Sequence, residues 1–164
     1  MTQDLFLILS GLAVVASGLV AGVFLTFSDF VMKSLAVAKA PVGAHAMQLI
    51  NRYVYGSKFL VLLLGMAPVS LLLAGYAYFY MSGPAAAWII AGGVVYVIGV
   101  FLVTMACNVP MNKRLDVLDP DEPPTAAYWK HYAIVWTRWN HVRTLASVGS
   151  TACLLVGVII LAQG

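Results

Sequence analysis

The chain has 164 residues, 62% of them hydrophobic and only 9% charged, with a formal net charge of +3. Soluble domains carry about 25% charged residues, so this composition and a mean hydropathy of +0.94 exclude an ordinary soluble fold and point to an integral membrane protein. The basic residues are split between two loops and mixed with Asp116, Asp119, Asp121 and Glu122, a pattern that argues against a nucleic-acid surface.

The first apolar segment, 5–28, is long enough to span a bilayer, which takes about 20 residues. It begins "MTQDLF", without a basic leader, and its apolar run is too long for a cleavable signal, so it is expected to persist as a helix. Gly18 and Gly22 within it form a GxxxG that permits close helix approach and leaves a homo-oligomer open. Its inner end, "AGVFLTFSDFVM", carries Thr26, Ser28 and Asp29. In "PVGAHAMQLINRYVYG" the spacing of Ala46, Ile50 and Val54 predicts a short amphipathic helix over 42–55, lying at the interface. No charged residue stands between Lys58 and Lys113, and "SGP" at 82–84 divides that region into two spans, 59–80 and 85–107. Pro110 is expected to end the second of these, flanked by Asn108 and Asn112 as caps or as ligands. After the turn-rich "DPDEPPT", a helix is expected over 125–143 with Thr125 as its N-cap. It should run on into a last span, 144–163, where Ala146 and Ser150 form a small-xxx-small pair.

The expected fold is therefore all-α: an integral membrane four-helix bundle forming a single domain, 1–164, with a helix in each long loop. All nine Lys and Arg fall in the loops 29–58 and 108–143. The positive-inside rule then puts both loops in the cytoplasm and both termini on the outer side, most simply in a bacterial cytoplasmic membrane. Cys107 and Cys153 are expected at different depths, as small buried hydrophobes and not as a disulfide.

This topology gathers the polar ends of all four spans in the inner leaflet, and ionisable groups near membrane depth usually face a bundle interior or a water-filled cavity. Asn51, Asn108, Asn140 and His141 are expected to converge there, with Trp136 in an aromatic stripe on the same helix as Asn140. His141 could serve as a general base, Arg143 could stabilise the resulting anion, and Asn140 with the other amides could hydrogen-bond its oxygen. The same histidine could instead ligate haem iron or a transition metal. The alternative for Arg138 and Arg143 is snorkelling to lipid headgroups. His45 and His131 read as ordinary hydrogen-bonding side chains, and without an HxH or HxxxH pair no zinc site is supported. GxSxG, P-loop, GxGxxG and CxxCH motifs do not occur.

The pieces "GLVAGVFLTFSDFVM", "AMQLINRYV", "VTMACNVPMNKRL" and "WTRWNHVRTLAS" resemble the anthrone-oxygenase-like family of small four-helix membrane proteins. The resemblance implies an oxygenase or oxidoreductase acting on a lipophilic aromatic, anthrone- or quinol-like. It carries site roles onto Asn51, Arg52, Asn108, Asn112, Trp139, Asn140, His141, Arg143 and Thr144, and Trp136 with Trp139 would line an aromatic slot. Removing the acidic benzylic proton of an anthrone gives an enolate that can react with O₂ directly, so the cofactor stays open between none and the haem or transition metal named above. The expected partners are the lipid bilayer and a lipophilic small molecule, with no nucleic acid. A non-enzymatic bundle that binds a lipophile or supports a partner complex is the remaining alternative.

Overall fold

A computed structural model describes residues 2–163. They form five helices: α1 (Gln3–Val37), α2 (Ala40–Val54), α3 (Lys58–Tyr80), α4 (Pro84–Asp116) and α5 (Pro123–Gln163). All but α2 are long and apolar enough to cross a membrane. Thr2 and Ser57 cap α1 and α3 by accepting from Leu5 N–H and Leu60 N–H at 3.4 and 3.1 Å. The α3–α4 turn depends on Gly83, whose φ of +82° is costly for any residue with a Cβ, and Pro84 then opens α4.

The long loops expected at 29–58 and 108–143 are mostly helical. α1 continues past residue 28 to Val37, through a π-helical stretch at Phe27–Val31. α4 continues past 107 and through Pro110 to Asp116. Proline is tolerated there because α4 is already π-helical over Thr104–Asn108: Val109 N–H reaches back five residues to Thr104 O, so the ladder has widened just before the residue with no N–H. α5 begins at Pro123, and Thr125 does not cap it; its hydroxyl donates to Asp119 O. The 41 residues of α5 make a rod of about 61 Å at 1.5 Å per residue, twice the ~30 Å hydrocarbon core. Its N-terminal half therefore extends beyond the span.

Packing follows from this length. In the spanning half, α5 lies along α1 and α4, while α3 packs on α4 and α1 and so sits diagonally across from α5. That half has a core of Phe6, Val20, Phe24, Leu63, Leu73, Ile89, Tyr96 and Leu154. The protruding half of α5 packs against α2, the end of α1 and the end of α4, around Met32, Met47, Leu115, Trp129, Tyr132 and Trp136. The buried face of α2 is Gly43, Ala44, Met47, Gln48 and Asn51, rotated from the expected Ala46–Ile50–Val54 stripe. Gln48 Nε2 fixes that rotation by donating to Leu115 O and Leu118 O at 2.9 and 2.7 Å, two carbonyls at the end of α4.

Small residues do set the closest helix approach, but not the expected GxxxG. A Cβ on Gly18 would sit 3.8 Å from Thr151, ordinary contact, and one on Gly22 would meet nothing. The tight approaches lie elsewhere: in the α4–α5 seam a Cβ on Gly99 would lie 2.5 Å from Ala146 Cβ and one on Gly92 2.8 Å from Leu154 Cγ, and between α3 and α4 one on Gly93 would lie 2.7 Å from Ser70 O. Bare backbone at Gly92 also lets Ser150 Oγ donate to its carbonyl at 2.8 Å. The small pair on α5 thus packs against glycines of α4. Cys107 and Cys153 are both free and half-buried.

Candidate functional site

Where the two packing regions meet, the helices leave a cavity of about 400 Å³. Phe24 and Phe27 of α1, Phe59 and Leu63 of α3, and Trp136 of α5 make its walls apolar. Tyr53 and Tyr55, 79% and 65% exposed, line its outer edge and mark the mouth. Its polar lining consists chiefly of Asn51, Thr104, Asn112, Asn140 and Arg143.

Arg143 dominates this site. It is 4% exposed. Among the described residues the ion pairs are Asp29–Lys33 and Arg52–Asp116, so no carboxylate meets this guanidinium. It is held by Nη2 donating to Asn140 Oδ1 at 2.7 Å and Nη1 donating to Thr104 Oγ1 at 3.4 Å. Its plane is flanked by rings, with Cζ 4.3 Å from the Phe24 centroid and 5.1 Å from that of Trp136. Nε is buried without a hydrogen-bond partner. The i, i+3 spacing of Asn140 and Arg143 puts both side chains on one face of α5, one turn apart.

Asn140 is anchored in turn by donating to Phe24 O at 2.7 Å and Ser28 Oγ at 2.6 Å. Asn112 Oδ1 accepts from both Tyr132 Oη and Trp136 Nε1 at 2.8 Å, which fixes the ring of Trp136 against the cavity. Trp129, Tyr132 and Trp136 stack in a ladder, with centroids 5.6 and 6.0 Å apart and planes within 18° and 21°. Asn51 sits beside the Tyr132 hydroxyl, yet its Nδ2 is buried with no hydrogen bond. Two donors, Asn51 Nδ2 and Arg143 Nε, are thus left unsatisfied in residues that line the cavity. Leaving such groups unmade costs about 1–3 kcal/mol each.

Of the residues singled out in the sequence, Asn51, Asn112, Trp136, Asn140 and Arg143 come together here. Others do not. His141 is exposed on α5; five residues on from Trp136 it is turned about 140° away, and it lines a separate groove with Lys33 and Arg138. Arg52 forms an exposed ion pair with Asp116, Nε to Oδ1 at 2.7 Å. Asn108 is 1% exposed and donates to Trp136 O at 3.3 Å, inside the α4–α5 contact. Trp139 is 38% exposed, outside the cavity lining. Thr144 bonds Ser28 Oγ at 3.2 Å and Asn140 O at 2.9 Å within the α1–α5 seam. Neither arginine reading holds alone, because Arg143 is buried while Arg138 is exposed. Sequence reasoning missed Phe24 and Phe27, whose i, i+3 spacing one turn before the polar end of α1 was the available signal.

For a metal or haem, the donor set is poor. No group of three or more His, Cys, Asp or Glu side chains that could hold a metal ion occurs among the described residues, and His141 has basic neighbours where a second ligand would be needed.

Comparison with known proteins gives one match; no curated protein and no solved structure matches the chain. The model of the family described as anthrone oxygenase covers residues 52–153, which includes α3, α4 and the part of α5 bearing Trp136, Asn140 and Arg143. By that match the chain belongs to the anthrone oxygenase family.

Proposed function

We propose that this protein is a membrane-embedded oxygenase that binds a lipophilic aromatic, anthrone- or quinol-like, as its oxyanion beside Arg143. A buried guanidinium without a carboxylate, at the edge of an apolar cavity, carries this reading. Burying an unpaired charge is costly, and a ligand that supplies the negative charge offsets that cost. The cavity volume lies in the range of small-molecule sites, roughly 300–1,000 Å³, and its walls suit a flat ring system between Phe27, Phe59 and Trp136.

The chemistry asks little more of the protein. An anthrone gives up one proton from its central CH₂ to become an enolate, and Arg143 shifts that equilibrium by stabilising the oxygen anion. Asn51 also lines the cavity, on the α2 side. Among the described residues no carboxylate or imidazole lines the cavity, and in this reading the proton leaves to water at the mouth. The enolate carbon then reacts with O₂; overall CH₂ and O₂ become C=O and H₂O. The protein binds, orients and holds the charge. We further propose that the cavity lies in the cytoplasmic leaflet of a bacterial inner membrane, because all nine basic residues lie toward its end of the bundle.

The test is oxygen uptake by the protein purified in detergent with an anthrone as substrate. Uptake with stoichiometric quinone formation that is lost on Arg143→Met supports the proposal. Uptake no faster than in buffer and detergent alone contradicts it.

A further inference from the structure

On the face of α5 turned away from the cavity lies a second concavity, about 280 Å³ in volume, between the end of α1 and the protruding half of α5. Its floor is apolar, built from Met32, Ala36, Ala133 and Ile134. Lys33 comes to it from α1 and Arg138 from α5, with His141 at its edge. Arg138 makes no hydrogen bond or ion pair among the described residues. Lys33 meets only Asp29, at 3.7 Å with both side chains about 70% exposed (74% and 68%), and a pair that open is worth little. Neither cation is committed to the protein.

What continues the groove identifies its occupant. On α5 the stripe Ile134–Arg138–His141 runs on, at the same helical spacing, into Leu145 and Val148, which are 74% and 51% exposed. On α1 the turn before Asp29 and Lys33 presents Leu25, 54% exposed. Two cations lining one groove are thus followed, along both helices, by apolar surface belonging to the spans. An anionic headgroup followed by acyl chains has that same order. Basic pockets between helices at a membrane boundary recognise such headgroups.

We propose that this groove is a binding site for one anionic glycerophospholipid, its phosphate between Lys33 and Arg138 and its acyl chains along Leu25, Leu145 and Val148. The site is distinct from the oxygenase cavity and does not depend on that assignment. It is nevertheless only one hydrogen-bonded layer away. Ser28 lines the groove and accepts from Asn140 at 2.6 Å, while Asn140 accepts from Arg143 at 2.7 Å.

Native mass spectrometry of the detergent-purified protein tests this, with phosphatidylglycerol and phosphatidylcholine of identical chains. The wild-type protein should retain phosphatidylglycerol at least tenfold more tightly. The double variant K33A/R138A should weaken that binding about 30-fold, roughly fivefold for each cation removed. The equal charge removal K58A/K113A, at exposed lysines of α3 and α4 outside the groove, should leave it within threefold. Equal retention of the two lipids would overturn the proposal, as would an equal loss in both double variants. Full displacement by 10 mM inorganic phosphate would also overturn it, since acyl contacts would then contribute nothing. Thermal unfolding of each variant accompanies the measurement, and R138Q alone, with about fivefold weaker binding, replaces a double variant that unfolds.

Discussion

Arg143→Met separates a functional arginine from a structural one. In the fold the guanidinium has one short hydrogen bond, to Asn140 at 2.7 Å, a long one to Thr104 at 3.4 Å, and two flanking rings. Hydrogen bonds to charged groups contribute about 1.5–3 kcal/mol and a desolvated cation–π contact about 2 kcal/mol, so the held cation gains roughly 4–6 kcal/mol. Its desolvation costs several kcal/mol; these neutral contacts offset most of that cost and leave the charge itself unneutralised. Methionine fills most of the same volume and strands no carboxylate. The one group it orphans outright is Asn140 Oδ1, at about 1–3 kcal/mol, and relief from burying a charge offsets this. The variant should therefore unfold within about 1 kcal/mol of wild type. Catalysis should behave differently. A charge about 4 Å from an oxyanion at an effective dielectric of 20 contributes roughly 4 kcal/mol, so kcat/KM should fall about 1,000-fold. Thermal unfolding in detergent and oxygen uptake with an anthrone measure the two effects side by side. A stability loss of about 3–5 kcal/mol, the size seen when a buried ion pair is broken, would show that Arg143 is structural. Retained turnover would refute its role in charge stabilisation.

Other substitutions test the surrounding structure. His141→Ala removes nothing from the cavity lining, so turnover should change less than threefold; a thousand-fold loss would restore the histidine as the base. Asn112→Leu strips the acceptor shared by Tyr132 and Trp136 and leaves two buried donors bare, about 2–4 kcal/mol in unfolding free energy, with a shift in tryptophan emission. Gly99→Ala would place a Cβ 2.5 Å from Ala146 Cβ and should destabilise the bundle by about 1–3 kcal/mol, whereas Gly22→Ala, which meets nothing within 4 Å, should be neutral or slightly stabilising in the same melt. Arg52→Ala breaks only the exposed pair with Asp116 and should cost less than about 1 kcal/mol, an effect that shrinks further in high salt.

Much of the fold is legible in the sequence because bilayer length and apolar composition are strong, local signals. The four spans and the hairpin at 82–84 need nothing else. Helix ends beyond the apolar runs are not so marked. Pro110 reads as a stop, yet the π-helical turn before it carries α4 six residues further, and no residue pattern announces that turn. The GxxxG of α1 is the conspicuous glycine motif, but Gly92 and Gly99, seven residues apart on α4, make the close seam because Ala146 and Leu154 happen to face them.

The candidate site was half legible for a related reason. Topology alone brings the polar ends of the spans to one level, and so it finds Asn51, Asn112, Asn140 and Arg143. It cannot say which face of a helix looks inward. His141 adjoins Asn140 in sequence, and adjacency on a helix means a turn of about 100°, enough to put one side chain on the cavity wall and the other in the basic groove. The inward face of α5 is set by Asn140 donating to Phe24 O and Ser28 Oγ, bonds between residues more than a hundred positions apart.

The central claim is that Arg143 holds the substrate as an anion. The most direct measurement compares binding of a hydroxyanthracene, ionised at the working pH, with binding of its methyl ether, followed by quenching of tryptophan emission in detergent. The two ligands share rings and differ in the charge offered to Arg143. The wild-type protein should bind the phenolate at least a hundredfold more tightly than the ether, and Arg143→Met should erase that preference without weakening the ether. Equal affinity for the two ligands in the wild-type protein would contradict the account.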